Sequence, residues 1–266
     1  MVLCVMNVSE GRDPSVIAAL GAAAGAALLD THTDPHHHRS VLTIAGEEAA
    51  RAVATTAVAL IDLRHHHGVH PRLGVVDVVP FVALTPSDTA EATRVRHEFA
   101  AWFARTEQIP CFLYGPERSL PEVRRGAFET IAPEFGPGHP HPRAGATAVG
   151  VRGPLVAYNV WINRDVATAT AVAKMIRGPG IRALGLAVGA GVQVSMNLID
   201  PSAIGPAEAY DLVVERAAQA GATVVGAELV GLLPRSVLMS VPTARWAELD
   251  LSDERTIEAR WATRPG

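Results

Sequence analysis

Lysine, cysteine and aromatic residues are scarce in this chain of 266 residues. Lys174 is the single lysine among 23 basic residues, and only 5% of the chain is aromatic. The formal net charge is −4 and no block of basic residues occurs, so nucleic acid is not an expected partner. Cys4 and Cys111 lie in apolar, strand-like segments, which is typical of reduced thiols in a core rather than of a disulfide.

Long apolar runs are missing as well. Every hydrophobic segment is shorter or more interrupted than the ~20 residues that a membrane-spanning helix needs. The first residues are predicted to form a strand, and they lack the basic stretch and cleavage site of a secretory leader. Hydrophobic residues nevertheless make up 48% of the chain, which is enough for a substantial core. We therefore expect a globular, cytoplasmic protein that binds neither membranes nor nucleic acid.

Hydrophobic periodicity predicts one order of elements, βαββαβ, twice along the chain. This order is typical of the ferredoxin-like unit. Between the two repeats, the pattern predicts a helix over 87–106, a strand, a helix over 120–132 and a loop rich in glycine and proline. The prediction is an α+β protein of two subdomains, residues 1–152 and 153–266, with a site between them. The predicted strands cover residues 2–8, 27–31, 40–45, 74–84, 111–114, 155–161, 181–188, 192–199 and 223–230.

The eleven histidines are concentrated in three predicted loops, with His97 alone on a helix. The densest of these loops reads HHHGVHPR at 65–72. His70 stands there between backbone-restricting residues, and an imidazole can act as a general acid or base at neutral pH. Arg72 adds a planar guanidinium suited to carboxylates. A loop histidine can also be merely solvated, and we expect residues 65–67 to form the last turn of the preceding helix without a functional role.

The second histidine loop, DTHTDPHHHR at 30–39, raises the possibility of a metal site. Three consecutive histidines cannot all face one ion from a regular strand, because neighbouring side chains point to opposite faces. No established metal-ligand spacing occurs either, so we expect a polar rim over an anionic ligand and no bound metal.

The third loop, FGPGHPHPRAGAT at 135–147, has the glycine and proline content of a defined irregular loop. Its glycines allow a ligand to approach the backbone closely, while the simpler interpretation is a linker between subdomains. A further glycine-rich stretch at 185–191 is predicted to be a hairpin rather than a phosphate cradle.

Together these segments resemble the glutamate formiminotransferase family, the transferase half of formiminotransferase-cyclodeaminase. The motifs that carry the resemblance run in order over residues 7–234, nearly the whole chain. They are NVSEGR at 7–12, LD at 29–30, DP at 34–35, RSVLT at 39–43, IDL at 61–63, GVHPRLG at 68–74, DVVPF at 77–81, PEFGP at 133–137, GAT at 145–147, QVSMNLID at 193–200 and LVGLLP at 229–234.

The resemblance implies two ferredoxin-like subdomains facing a shared cleft, an N-terminal one (1–152) and a C-terminal one (153–266). It implies transfer of a formimino group between N-formimino-glutamate and tetrahydrofolate, the latter as co-substrate, with His70 as the catalytic histidine and 136–145 as the folate-binding segment. A homodimer is plausible on the same ground, and any cyclodeaminase is expected to be a separate protein. The candidate substrate- and folate-binding residues are Asn7, Asp34, His37, Arg39, Arg72, Gly136, Pro137, Gly138, Gly145, Asn159, Gln193 and Asn197.

The chain departs from the family pattern at several positions. His36 and His38 stand where the family has aspartate and asparagine, and the segment 177–192 is shorter than its counterpart. Two alternatives therefore stay open. One is a related one-carbon or amidine transferase with a different amine or carrier, and the other is a catalytically silent folate-binding protein.

Overall fold

The computed structural model describes residues 2–68 and 72–264. The chain divides into two compact units, one covering the chain up to Gly153 and the other covering Pro154–Thr263. Each unit has its own sheet and its own hydrophobic core. Across the described residues, no helix is long and apolar enough to cross a membrane. The α+β class predicted from periodicity is confirmed, whereas the shared cleft stays a prediction.

The first unit is built on a six-stranded sheet, with three helices packed on one face and a short fourth helix packed on the other. The strand order is β2-β3-β1-β4-β6-β5, and β6 pairs in parallel with both β4 and β5 while the other pairs are antiparallel. The strands are β1 (Val2–Val8), β2 (Leu28–Asp34), β3 (Arg39–Ala45), β4 (Val76–Ala83), β5 (Cys111–Tyr114) and β6 (Thr147–Arg152), and the helices are α1 (Pro14–Ala24), α2 (Glu47–Leu60), α3 (Thr89–Glu107) and α4 (Leu120–Gly126).

Local sequence explains where these elements begin. Asp13 caps α1, because its carboxylate accepts the backbone N–H of Ser15 at 2.8 Å, and Pro14 occupies the first helical position. Along β1 the side chains alternate, so Cys4 and Met6 are fully buried on the helix-covered face. Val2 and Val8 share that face, and the alternation sends Leu3, Val5 and Asn7 to the opposite one.

The second unit has a four-stranded antiparallel sheet in the order β10-β7-β9-β8. The predicted hairpin at 185–191 is confirmed: β8 and β9 are joined by a two-residue turn in which Gly189 has a φ of 59°. The strands are β7 (Val156–Ile162), β8 (Ile181–Val188), β9 (Gly191–Leu198) and β10 (Val224–Val230), and the helices are α5 (Val166–Ile176), α6 (Pro206–Gln219), α7 (Arg235–Met239) and α8 (Ile257–Ala262).

Four elements differ from the prediction. The strand β6 was not predicted, and it lies buried between β4 and β5, as a continuous apolar run does in a parallel pairing. The helix expected over 120–132 ends at Gly126, whose carbonyl accepts three following N–H groups, and Phe128 then takes a φ of 65° that no helix allows. The short helices α7 and α8 were not predicted.

Candidate active site

Three of the predicted binding residues share one face of the first sheet. Asp34 pairs with Arg39 across β2 and β3, and Asn7 pairs with Val41 across β1 and β3. Because Arg39 and Val41 are two residues apart, all four side chains point to the same side. This face is opposite to the one that carries the buried Cys4. The sequence motifs at 7–12 and 34–43 therefore meet in space.

The turn between β2 and β3 is organised by Asp34. One carboxylate oxygen accepts the backbone N–H groups of His36 at 2.8 Å and His37 at 2.9 Å. The other oxygen lies 2.5 Å from Nδ1 of His37, whose side chain is buried. Burial opposes ionisation of this carboxyl, but the hydrogen bonds from His37 outweigh it and hold the pKa of Asp34 well below its usual range.

His38 ends this turn in a left-handed conformation, with a φ of 53°. Asparagine tolerates that conformation readily and histidine is also enriched there, which explains why either residue type can occupy the position. The ring Nε2 of His38 lies 3.0 Å from the carboxylate of Glu10, at the end of β1. The substitution of asparagine by histidine is therefore accommodated by the backbone and has a side-chain partner of its own.

Glu10 connects the end of β1 to the turn. Its Oε1 accepts the backbone N–H groups of Gly11 at 2.8 Å, Arg12 at 2.7 Å and Asp13 at 3.0 Å, besides the contact with His38. Burial would raise the pKa of Glu10, but these backbone donors and the nearby His38 lower it overall. Glu10 is thus an ionised carboxylate that hydrogen bonds hold in one position.

The loop after α2 packs against the same turn. The rings of His38 and His66 stack with centroids 3.9 Å apart and an interplanar angle of 15°. Nε2 of His66 lies 3.1 Å from the carbonyl oxygen of His38, and Nδ1 of His66 accepts from the Arg72 guanidinium. Arg72 also donates to the carbonyl of Gly68 at 2.9 Å. The first two histidine loops therefore form one cluster.

The expectation that residues 65–67 form the last turn of α2 was wrong. The helix ends at Leu60, Ile61 is extended, and the Asp62 side chain starts a separate 3-10 turn by accepting the N–H of Arg64 at 3.0 Å. His66 follows that turn and faces the cluster. An Asx-type start at Asp62 is the sequence signal that could have indicated the break.

Asp77 is a site residue absent from the set predicted from the sequence. It is 1% exposed, and its two carboxylate oxygens accept the N–H of Leu73 and the Arg124 guanidinium, each at 2.6 Å. Burial lowers the pKa of both Arg39 and Arg72, and the negative charge of Asp77 opposes that effect. One buried carboxylate thus lies near three arginines. A charged residue within the apolar run VVDVVP was the available signal.

The third loop contributes Gly145 to this region. Its φ is 71°, and a Cβ at this position would lie 2.3 Å from the carbonyl oxygen of Leu73. Gly145 forms a bridge with Gly74, and the Ala146 N–H donates to Leu73 at 3.0 Å. A side chain at position 145 is therefore excluded, which holds this part of the loop against residues 73–74.

The structure places the other predicted glycine-loop residues elsewhere. Gly136 packs on α3, since a Cβ there would lie 3.2 Å from that of Ala104. Gly136 and Pro137 line an open pocket of about 440 Å³ together with Arg105 of α3. Gly138 is exposed, and a Cβ at that position would meet nothing within 4 Å. The predicted folate segment 136–145 thus divides between two places in the first unit.

Three predicted residues lie on one face of the second sheet. Asn159 of β7 is opposite Ser195 of β9, and Gln193 and Asn197 are two residues to either side of Ser195. Asn159 donates to Glu228 at 3.0 Å, whereas Asn197 is exposed. Gln193 is 1% exposed, and its Oε1 has no hydrogen-bond partner among residues 2–68 and 72–264.

The predicted catalytic histidine, His70, lies outside the described residues, between the described Gly68 and Arg72. The described part of the chain contains no group of three or more histidine, cysteine, aspartate or glutamate side chains that could hold a metal ion.

Comparison with known proteins decides the family. The model of the N-terminal subdomain of the formiminotransferase domain matches residues 1–152, and the formiminotransferase domain model matches residues 157–248. The chain belongs to the formiminotransferase family. It is a transferase, as its resemblance to the family implied.

Named relatives of this formiminotransferase come from bacteria, archaea and animals. A glutamate formimidoyltransferase of Streptococcus pyogenes serotype M1 is 37% identical over 91% of each chain. A glutamate formimidoyltransferase of Thermoplasma acidophilum is 32% identical over 98% of this chain and 96% of the relative. The formimidoyltransferase-cyclodeaminase of Sus scrofa is 32% identical over 90% of this chain, which spans 51% of that relative's length.

Arginines and carboxylates lie close together in this part of the first unit, with Asp77 near Arg39, Arg72 and Arg124. The guanidinium groups of Arg72 and Arg124 are held by fixed hydrogen bonds, and the carboxylate of Asp77 acts on both. Positive groups held in this way favour a bound anion over water. The first unit therefore holds guanidinium groups in positions that hydrogen bonds fix.

Proposed function

We propose that this formiminotransferase moves a formimino group between N-formimino-glutamate and tetrahydrofolate, with tetrahydrofolate as co-substrate and His70 as general acid and base. The observation that carries the proposal is the arginine cluster around Asp77. Both substrates carry carboxylates, and the arginines supply the planar donors that carboxylates prefer. Family membership supports the reaction type.

In the proposed reaction an amine nitrogen of tetrahydrofolate attacks the amidine carbon of the formimino group. A carbon–nitrogen bond forms and the carbon becomes tetrahedral. The adduct then collapses, the bond to the glutamate nitrogen breaks, and that nitrogen takes up a proton as glutamate leaves. The attacking amine loses one proton and the leaving amine gains one, so no oxidant or reductant is needed.

One imidazole can perform both proton transfers. His70 would accept the proton of the attacking amine and return it to the leaving amine, as a group with a pKa near neutrality does efficiently. Holding both substrates by their carboxylates supplies proximity, which is worth several orders of magnitude in rate for oriented reactants. Arg39 and Arg72 are the proposed carboxylate-binding groups of the first unit, and Gln193 and Asn197 are the proposed polar binding groups of the second unit.

The test is to incubate the purified protein with tetrahydrofolate and N-formimino-glutamate and to measure methenyl-tetrahydrofolate absorbance after acid treatment. We expect product from the wild type, and loss of turnover with retained tetrahydrofolate affinity in His70→Ala. The matched control is His65→Ala, an exposed histidine of the same loop. Tetrahydrofolate binding without product at high enzyme concentration would instead indicate a silent folate-binding protein. Unchanged turnover in His70→Ala would refute the assignment of that residue.

We also propose that the protein is cytoplasmic, as its composition led us to expect, and that it is a homodimer, as the family resemblance implies. Size-exclusion chromatography with light scattering tests the oligomeric state, and a mass of about one chain of 28.0 kDa would refute the dimer.

A further inference from the structure

Both ring nitrogens of His66 have partners that fix its protonation. A guanidinium can only donate, so Nδ1 of His66 must accept from Arg72 and carries no proton. A carbonyl oxygen can only accept, so Nε2, 3.1 Å from the oxygen of His38, must carry one. The arrangement therefore requires the neutral Nε2–H tautomer. A cation at this position would face the Arg72 guanidinium with no lone pair to offer.

Arg72 in turn forms two hydrogen bonds within its own loop. Its guanidinium donates to His66, six residues earlier, and to the carbonyl of Gly68, four residues earlier. Gly68 is held tightly, because a Cβ there would lie 2.7 Å from the carbonyl oxygen of His37. These contacts fix the described residues on both sides of position 70 in the sequence.

His66 is itself held by a second row of contacts. Its ring stacks on that of His38 with centroids 3.9 Å apart, and Nε2 of His38 is hydrogen-bonded to the carboxylate of Glu10 at 3.0 Å. The side chains of His38 and Glu10 are each 12% exposed. Rotation of the His66 ring would break its two hydrogen bonds and the stack together, so the imidazole has one stable orientation.

We propose that His66 is a positioning residue of the transfer reaction, which holds the Arg72 guanidinium and, through it, the described residues that flank His70 in the sequence. This inference rests on the proposed function, because it takes His70 as the group that exchanges protons with the two amines. His66 acts by accepting one hydrogen bond and donating another. It has no proton-transfer role, since its one ring proton is committed to the His38 carbonyl.

The first experiment compares two variants that differ only in hydrogen bonding. His66→Phe keeps an aromatic ring for the stack but removes both hydrogen bonds, and His66→Gln offers an amide oxygen and an N–H in their place. We expect kcat/KM to fall about 10- to 100-fold in His66→Phe, the size expected of a displaced reacting group. Most of the loss should be recovered in His66→Gln. His65→Phe, in the same loop but exposed, is the control and should match the wild type.

The second experiment asks whether His66 acts through Arg72. If it does, adding His66→Phe to Arg72→Ala should cost nothing further, because the group that His66 holds is already absent. A purely structural role of His66 predicts multiplicative losses in the double variant instead. Multiplicative losses, or wild-type activity in His66→Phe, would overturn the proposal.

The third experiment needs no activity. Nitrogen-15 NMR of the histidine rings should show His66 as the neutral Nε2–H tautomer in the wild type at pH 7, and a mixture of tautomers in Arg72→Ala. A protonated ring or an Nδ1–H tautomer in the wild type would overturn the inference. If the wild type shows this tautomer but catalyses no transfer, the proposed function fails while the His66–Arg72 arrangement stands. The NMR result also holds if His66→Phe does not fold.

Discussion

Asp77 and Arg124 form an ion pair between β4 and α4, with the carboxylate Oδ2 2.6 Å from the guanidinium Nη2. The side chain of Asp77 is 2% exposed and that of Arg124 is 21% exposed. The second carboxylate oxygen accepts the N–H of Leu73 at 2.6 Å. One residue thus fixes both a helix and the backbone that follows the histidine loop.

Removing the charge of Asp77 should destabilise the protein strongly. In Asp77→Asn the buried surroundings lose their negative charge while the arginines remain, and breaking one side of a buried pair typically costs about 3–5 kcal/mol. We expect a loss of about 3 kcal/mol in the free energy of unfolding, measured by urea denaturation. The control is Arg143→Ala, which removes a pair with Asp62 whose arginine is 47% exposed and should cost less than about 1 kcal/mol. Equal losses in the two variants would contradict the buried role of Asp77.

The conformation of Gly145 gives a second prediction, on stability alone. Alanine at position 145 would require a φ near 71° and would place Cβ against the Leu73 carbonyl. We expect Gly145→Ala to lower the free energy of unfolding by more than about 1 kcal/mol, since the native conformation is incompatible with a side chain. Gly138→Ala is the matched control from the same loop, because its Cβ would meet nothing within 4 Å. Its melting temperature should equal or slightly exceed that of the wild type.

The opposite order of stability would contradict the positive φ of Gly145 and its close contact with Leu73. If Gly145→Ala melted at or above the temperature of Gly138→Ala, residues 145–146 could not pack against residues 73–74 as they do here.

Elements with a local signature were predictable from the sequence. The bounds of β1 and β5 agree with the predicted strands 2–8 and 111–114, because each is an apolar segment that ends in turn residues. The strand β6 was missed because its identity depends on parallel partners that are distant in sequence, namely β4 and β5. Periodicity cannot report such pairing.

The candidate site was likewise predictable only where the sequence signal is local. The motifs themselves identified Asp34, Arg39 and Arg72 as candidates, but no pattern indicated that His38 and His66 would stack, since they are 28 residues apart. Asp77 was also missed, because its importance comes from the burial of a charge and from the approach of Arg124, 47 residues later. Long-range contacts of this kind follow from the tertiary fold rather than from spacing.

The protonation of His66 gives a third prediction, on the pH dependence of stability. Burial, and then the nearby Arg72 and His38 charges, lower the pKa of His66 to about 4. In the unfolded chain the same group titrates near pH ~6.5. As the pH falls through this interval the unfolded state takes up the proton first, so the stability that neutral His66 provides is present above about pH 6.5 and is lost toward pH ~4.

We therefore expect the melting temperature of the wild type, followed by circular dichroism, to fall between about pH 6.5 and 4. The fall should be smaller in His66→Phe, because phenylalanine takes up no proton. The contribution of position 66 to the free energy of unfolding is then the same at every pH in this interval. His65→Phe is the control, because His65 is exposed in the same loop and its loss should leave the wild-type slope unchanged. Equal slopes for the wild type and His66→Phe would mean that His66 is protonated as easily in the folded protein as in the unfolded chain. That result would be incompatible with a ring nitrogen that accepts a hydrogen bond from Arg72.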